Sequence, residues 1–79
     1  MFSLTKHEKL SDSLFVIGAL LIEILKKEAY NVEGLYRKLL EKKAIGLDSY
    51  FDAITFLWLS DIVEFREEIL FLRANDKTL

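Results

Sequence analysis

Apolar residues in the first half of the chain recur every three to four positions, a spacing that predicts helices with one buried face. The first helix is predicted from about Asp12 to Glu28. Its start is indicated by three residues that can cap free helix amides: Ser11, Asp12 and Ser13. The second helix is predicted from Val32 to about Lys43, with Asn31 as its cap. Gly46 follows it and is suited to the left-handed conformation that often ends a helix.

A third helix and a β-hairpin are predicted in the second half of the chain. The helix runs from a cap at Asp48 or Ser49 to about Leu59 or Ser60. The segments 62–65 and 69–72 are rich in β-branched and aromatic residues, which predicts two strands joined by a turn at 66–68. Because the turn contains no glycine, the pattern leaves the register of the two strands open.

Three helices followed by a hairpin is the order of a winged helix-turn-helix domain, in which the hairpin is the wing. We therefore predict a mainly α fold with a small β-hairpin, with a plain three-helix bundle and a β tail as the alternative. A chain of 79 residues has room for one domain. That domain is predicted at 11–73, between an N-terminal arm at 1–10 and a frayed, polar C-terminal tail at 74–79.

The chain carries more apolar surface than one small domain can bury, since 52% of its residues are hydrophobic. The first helix has a core stripe at Leu14, Ile17, Leu21, Ile24 and Leu25, but the apolar residues Phe15, Val16, Ala19, Leu20 and Ile22 continue around it. The predicted strands are also apolar on both faces. One interpretation is ordinary exposed apolar surface. The other, which we favour, is an oligomer or a subunit of a complex, anchored by Phe15, Ile22, Phe56, Leu59 and Phe65.

The spacing of apolar residues in the second and third helices predicts which side chains face the core. The second helix has an inner stripe of Val32, Leu35, Tyr36, Leu39 and Leu40, and the third has a broad inner face of Tyr50, Phe51, Ala53, Ile54, Leu57 and Trp58. In a DNA-reading domain the outer face of the third helix carries basic or amide side chains. Here that face carries Ser49, Asp52, Thr55, Phe56 and Leu59, and no basic residue occurs between Lys43 and Arg66.

The charge balance also argues against a nucleic-acid-binding protein. The formal net charge is -2, whereas a nucleic-acid binder usually has a basic excess. A module that binds other proteins is therefore the predicted function, and no nucleic-acid partner is expected. The alternative is a homodimeric DNA-binding transcriptional regulator that uses the basic residues Arg37, Lys38, Lys42, Lys43 and Arg66. A homodimer with only a structural role is a third interpretation.

Residues that carry chemistry are nearly absent from the sequence. There is no cysteine, and the single histidine, His7, cannot complete a usual zinc shell. The three glycines stand alone, so no phosphate-binding loop is indicated. The longest apolar stretch, Leu14–Ile22, is shorter than the roughly 20 residues of a membrane-spanning helix. We therefore expect a cytoplasmic protein with no catalytic residues, cofactor, metal site or membrane partner.

Residues spread over nearly the whole chain resemble the small middle components of bacterial ABC-three component systems. The sharpest element is Leu4-Thr5-Lys6-His7, and it is followed by Ser13-Leu14, Gly18-Ala19, Leu25, Val32, Leu35-Tyr36, Phe51, Ala53, Phe56-Leu57, Leu59 and Ile62. The resemblance implies a non-catalytic subunit that is encoded beside a large ABC-type ATPase and a third component. It also implies a role in conflict with phages or mobile elements.

Overall fold

The fold is known from a computed structural model, which describes residues 13–75. In chain order its elements are α1 (Leu14–Lys27), α2 (Val32–Lys42), α3 (Leu47–Leu59), β1 (Val63–Arg66), β2 (Ile69–Leu72) and a short 3-10 helix (Arg73–Asn75). Three helices followed by an antiparallel hairpin confirm the predicted winged-helix-like fold class. The predicted arm at 1–10 and residues 76–79 of the predicted tail lie outside the described residues, whereas 74 and 75 belong to the 3-10 helix.

The starts of α1 and α2 are capped by side chains that the sequence predicted. Ser13 Oγ accepts a hydrogen bond from the amide of Val16 at 3.2 Å, and Asn31 Oδ1 accepts one from the amide of Gly34 at 2.7 Å. Each bond satisfies one of the amides that a helix start leaves without a partner. The two helices therefore begin within one or two residues of the predicted positions.

The prediction for the link between α2 and α3 was wrong. Gly46 is not left-handed: it has φ -68° and ψ 155° and is itself the residue before α3, which begins at Leu47 without a side-chain cap. The link stays extended because Ile45 is buried in the core, and its carbonyl accepts a hydrogen bond from the Tyr36 hydroxyl at 2.7 Å. Because of this contact, α3 begins at Leu47, before the predicted cap residues Asp48 and Ser49. Asp48 lies in the first turn of the helix.

The core lies between the three helices and the inner face of the hairpin. Its buried hydrophobic residues are Ile17, Leu21, Ile24, Leu25, Leu35, Leu39, Ile45, Tyr50, Ala53, Leu57, Val63, Leu70 and Leu72. Most of the predicted inner positions of the helices are confirmed. Leu40, Phe51 and Trp58 are exceptions, since each is exposed by more than two fifths of its surface.

The wing has a defined register. Val63 pairs with Leu72 and Arg66 with Ile69, so the turn contains only Glu67 and Glu68. Both turn residues are left-handed, with φ 52° and 69°, as a two-residue turn that matches strand twist requires. The turn is therefore one residue shorter than predicted, and β1 begins at Val63, after Ile62.

A backbone bridge that the sequence did not predict holds the wing against the link between α1 and α2. The amide of Tyr30 donates to the carbonyl of Leu70 at 3.2 Å, and the amide of Leu70 donates to the carbonyl of Tyr30 at 2.7 Å. β2 is thus hydrogen-bonded on both edges at this point, which fixes the position of the wing beside α3. No helix within residues 13–75 has the length and apolar character needed to cross a membrane.

Candidate protein-binding surfaces

An apolar groove runs between α3 and the wing, with a volume of about 340 Å³. It is lined by Val32, Phe51, Ile54, Thr55, Trp58, Phe65 and Leu70, and we call it the α3–wing groove. Leu70 is buried and Val32 and Ile54 are half-buried, so these residues form its floor. The aromatic rings of Phe51, Trp58 and Phe65 form its walls and are exposed by 46%, 55% and 52%.

The groove contains almost no polar group that could bind a small polar ligand. Thr55 is its one hydroxyl residue, and its Oγ1 already donates to the carbonyl of Phe51 at 2.8 Å. Large aromatic side chains each remove about 150 to 250 Å² from water when they are buried. The groove is therefore suited to apolar side chains of another protein.

A second apolar surface lies on the other side of α3, where α1 packs against it; we call it the α1–α3 flank and define it by Phe15, Phe56 and Leu59. The rings of Phe15 and Phe56 meet edge to face, with centroids 6.0 Å apart. Phe56 is half-buried, and Leu59, three residues along the same face of α3, is 72% exposed. Phe15 itself is 65% exposed.

The structure therefore divides the five predicted interface anchors among different environments. Phe15, Phe56 and Leu59 form the α1–α3 flank, and Phe65 belongs to the α3–wing groove. Ile22 is half-buried and packs against the core, so it offers less surface than the other four. Their role as interface anchors stays a prediction.

Three of the five predicted basic candidates pair with carboxylates of the same chain, whereas Lys42 and Lys43 form no ion pair within residues 13–75. On α2, Arg37 pairs with Glu33 at 2.7 Å and Lys38 with Glu41 at 3.3 Å. By accepting that hydrogen bond, the Glu41 carboxylate raises the pKa of the Lys38 ammonium above its usual value. These pairs are exposed and each is worth little to stability, but they offset the positive charge that α2 would offer to phosphates.

The fifth basic candidate, Arg66, lies on the wing. Its guanidinium lies 3.0 Å from a carboxylate oxygen of Glu64 and 4.9 Å from the ring centre of Phe71. Glu64 also accepts a hydrogen bond from Arg73. Arg66 thus covers apolar surface on the outer face of the wing, which accounts for part of the two-sided apolar pattern of these strands.

Tyr50 holds α3 in the position that forms one wall of the groove. It is fully buried, its ring packs 4.8 Å from that of Tyr36, and its hydroxyl donates to the carbonyl of Val32 at the start of α2. Burial raises the pKa of the Tyr50 hydroxyl well above its usual value, so the hydroxyl stays neutral and remains a donor. Through this bond, α3 is tied to a residue of the groove floor.

Sequence reasoning missed Phe51 and Trp58 as surface residues because it assigned them to the core. The buried face of α3 is narrow and centres on Tyr50, Ala53 and Leu57. Phe51 and Trp58 each follow a buried residue, so they are turned about 100° away from it, toward the wing. One feature of the sequence could have shown this. The apolar residues of α3 cover too wide a part of the helix surface for all of them to be buried on one side.

Comparison with known proteins agrees with the resemblance in the sequence. The family model of the ABC-three component (ABC-3C) system Middle Component 6 matches residues 4–73. Searches of curated proteins and of solved structures gave no match. Because the family match covers nearly the whole chain, including all three helices and the wing, this protein belongs to the Middle Component 6 family of ABC-three component systems.

Proposed function

We propose that the chain is a non-catalytic adaptor subunit, which binds other protein components of an ABC-three component system in the cytoplasm, a large ABC-type ATPase among them. The family to which the chain belongs is a component of such a system, and a component of a multi-part system has protein partners. The chain provides the binding surface, and the ATPase provides the chemistry.

The observation that carries this proposal is the character of α3. In a winged-helix domain this helix and the wing form the surface that reads DNA. Here α3 has no lysine or arginine, and it exposes Phe51, Trp58 and Leu59 to solvent. Exposed apolar groups of this size are typical of protein interfaces, and they have no ordinary partner along a phosphate backbone.

The test is purification of the tagged chain from its native host, with mass spectrometry of the bound proteins and a nuclease-treated control. We expect a large ABC-type ATPase to be recovered in equal amount with and without nuclease. Recovery of the chain alone, or of partners that nuclease removes, would contradict the proposal and favour the DNA-binding regulator.

Single substitutions connect the result to the surface. Phe15→Asp, Phe56→Asp and Leu59→Asp are expected to reduce recovery of the ATPase, since a carboxylate would have to be buried among apolar groups. Leu40→Asp is the matched control, because Leu40 is 43% exposed on α2, outside both surfaces. If recovery is unchanged in all three flank variants, that flank is not the site of assembly.

A further inference from the structure

Acidic residues border the chain segments that line the α3–wing groove. The exposed acidic residues next to its aromatic walls in sequence are Asp48, Asp52, Asp61, Glu67 and Glu68. None of these five has an ion-pair partner among residues 13–75. The nearest basic side chain along the wing, Arg66, lies on the opposite face of the hairpin from Phe65, next to Glu64.

The wing tip keeps its two carboxylates in a costly backbone conformation. Glu67 and Glu68 are both left-handed, at φ 52° and 69°, where asparagine followed by glycine would fit with little strain. A left-handed residue with a side chain costs about 1 kcal/mol or more. The register of the wing imposes this turn, and it places the two carboxylates directly beyond the strand that carries Phe65, a wall of the groove.

This charge pattern selects among the occupants that an apolar groove could accept. A second copy bound through the same face would bring its acidic residues against these, which is unfavourable. A phosphate backbone would meet the same repulsion. The pattern is complementary to an apolar segment that carries lysine or arginine beside its anchoring side chains.

We infer that the α3–wing groove binds a segment of a partner protein whose apolar anchors are flanked by lysine or arginine. The apolar anchors lie against Phe51, Trp58 and Phe65, and the basic side chains reach the carboxylates at the rim. This inference rests on the proposed adaptor function and assigns to it the chemistry of one partner segment.

The test begins with a phage-displayed library of random peptides, selected on the immobilised full chain. We expect the selected peptides to be enriched in lysine and arginine next to apolar residues. Trp58 is the only tryptophan of the chain and lines the groove, so its emission reports occupancy directly. A selected peptide without tryptophan is expected to shift that emission to shorter wavelength as the indole is buried.

Matched variants then separate charge from folding, with affinity measured by the anisotropy of the labelled peptide. Asp48→Asn with Asp52→Asn is expected to weaken binding about three- to tenfold, from the usual strength of two exposed ion pairs. Glu23→Gln with Glu41→Gln removes the same charge elsewhere and should leave binding unchanged. Trp58→Asp should abolish it, whereas Leu59→Asp, which does not line the groove, should not.

Four results would overturn the inference. They are selected peptides with no basic enrichment, binding that does not move Trp58 emission, equal affinity in the Asp48 and Asp52 variant, and failure of the library to yield a binder. Two further results would assign the groove to another occupant. A shift of Trp58 emission with protein concentration alone would indicate a second copy.

The N-terminal arm would be indicated by quenching with acrylamide. In that case acrylamide would quench Trp58 only in the double variant Phe2→Ser with Leu4→Ser.

Failure of this inference is distinguishable from failure of the adaptor function. If Trp58→Asp still recovers the ATPase from the host while Leu59→Asp does not, the adaptor function stands and the groove is not its binding site. If no ATPase is recovered by any form of the chain, the adaptor function itself fails.

Discussion

At the scale of single residues, Tyr50 shows how one hydroxyl connects the core to a surface. Its ring is completely buried, and its hydroxyl donates a hydrogen bond to the carbonyl of Val32, which lies in the floor of the α3–wing groove. A buried polar atom without a partner is costly, so this bond constrains α2 and α3 to one relative position. The polar group is thus part of the reason that the groove has a defined shape.

Tyr50→Phe is expected to lower the free energy of unfolding by about 1 kcal/mol at neutral pH, because the Val32 carbonyl loses its donor. It should also change the response to alkali. The pKa of the Tyr50 hydroxyl is raised in the folded state, so its stabilising effect is complete below about pH 10 and is lost as pH rises further, at up to about 1.4 kcal/mol per pH unit.

Urea unfolding between pH 7 and pH 11 measures both effects. The fall in stability above pH 10 should be smaller in Tyr50→Phe than in the wild type. An equal fall in stability above pH 10 in the wild type and in Tyr50→Phe would show that ionisation of the Tyr50 hydroxyl does not cause it.

Two glycines inside helices are expected to respond oppositely to alanine. A Cβ at Gly18 would lie 3.6 Å from Leu57 Cδ2, an ordinary contact, so Gly18→Ala should stabilise the fold by up to about 1 kcal/mol through helix propensity. A Cβ at Gly34 would lie 2.8 Å from Asn31 Oδ1 and would displace that cap, at a cost of about 1 kcal/mol. Thermal unfolding should therefore show a higher midpoint for Gly18→Ala than for Gly34→Ala. The reverse order would contradict the contacts described for these two glycines.

At the scale of elements, the wing combines a strong anchor with a strained tip. Val63, Leu70 and Leu72 bury its inner face, and the bridge from Leu70 to Tyr30 secures its far edge. Because these contacts determine the register, the turn must close in two residues, whatever their identity. The left-handed glutamates at the tip are therefore a consequence of packing elsewhere in the wing.

Glu67→Asn with Glu68→Gly is expected to raise the free energy of unfolding by about 1 kcal/mol, because that pair adopts left-handed conformations with less strain. The measurement is the urea midpoint at an unchanged dependence on urea concentration. If the inference about the groove holds, the same variant should bind the basic peptides more weakly although it is more stable. A decrease in stability would mean that the glutamates make a contact that the turn geometry does not account for.

At the scale of the whole molecule, apolar surface remains exposed on both sides of α3. The α3–wing groove and the α1–α3 flank both expose large aromatic side chains, which is typical of surfaces that bind another protein. Asp48 and Asp52 lie on the outer ridge of α3 between the two surfaces, on the same side of the helix as Leu59. Two separate apolar surfaces fit the proposed adaptor function, in which one chain contacts two partners.

We expect the purified chain to self-associate at micromolar concentration through the α1–α3 flank. Leu59→Asp should shift the sedimentation velocity toward that of a monomer, while Leu40→Asp should not. Leu59 is suitable for this test because its high exposure makes the substitution harmless to folding. A monomeric wild-type chain would show that the exposed apolar residues do not pair with their own copies.

The sequence alone determined the order of the elements, two of the three helix caps considered, the family resemblance and most of the core. These features depend on local spacing: a helical period, an asparagine or serine at a helix start, and β-branched runs separated by a turn. Family resemblance could be read because its motifs lie at many positions along the chain. Exposure of Leu59 was also expected from its position opposite the predicted core.

Only the tertiary structure decided which part of the broad apolar face of α3 is buried. Ile45 draws the link before α3 into the core, and the bridge between Tyr30 and Leu70 places the wing beside the helix. The first contact joins Ile45 to Tyr36 of α2, and the second joins Tyr30 to Leu70 on the wing, so no local pattern within α3 contains them. Together they rotate Tyr50, Ala53 and Leu57 inward and leave Phe51 and Trp58 as the walls of a groove, since a helix can bury only the side that its neighbours cover.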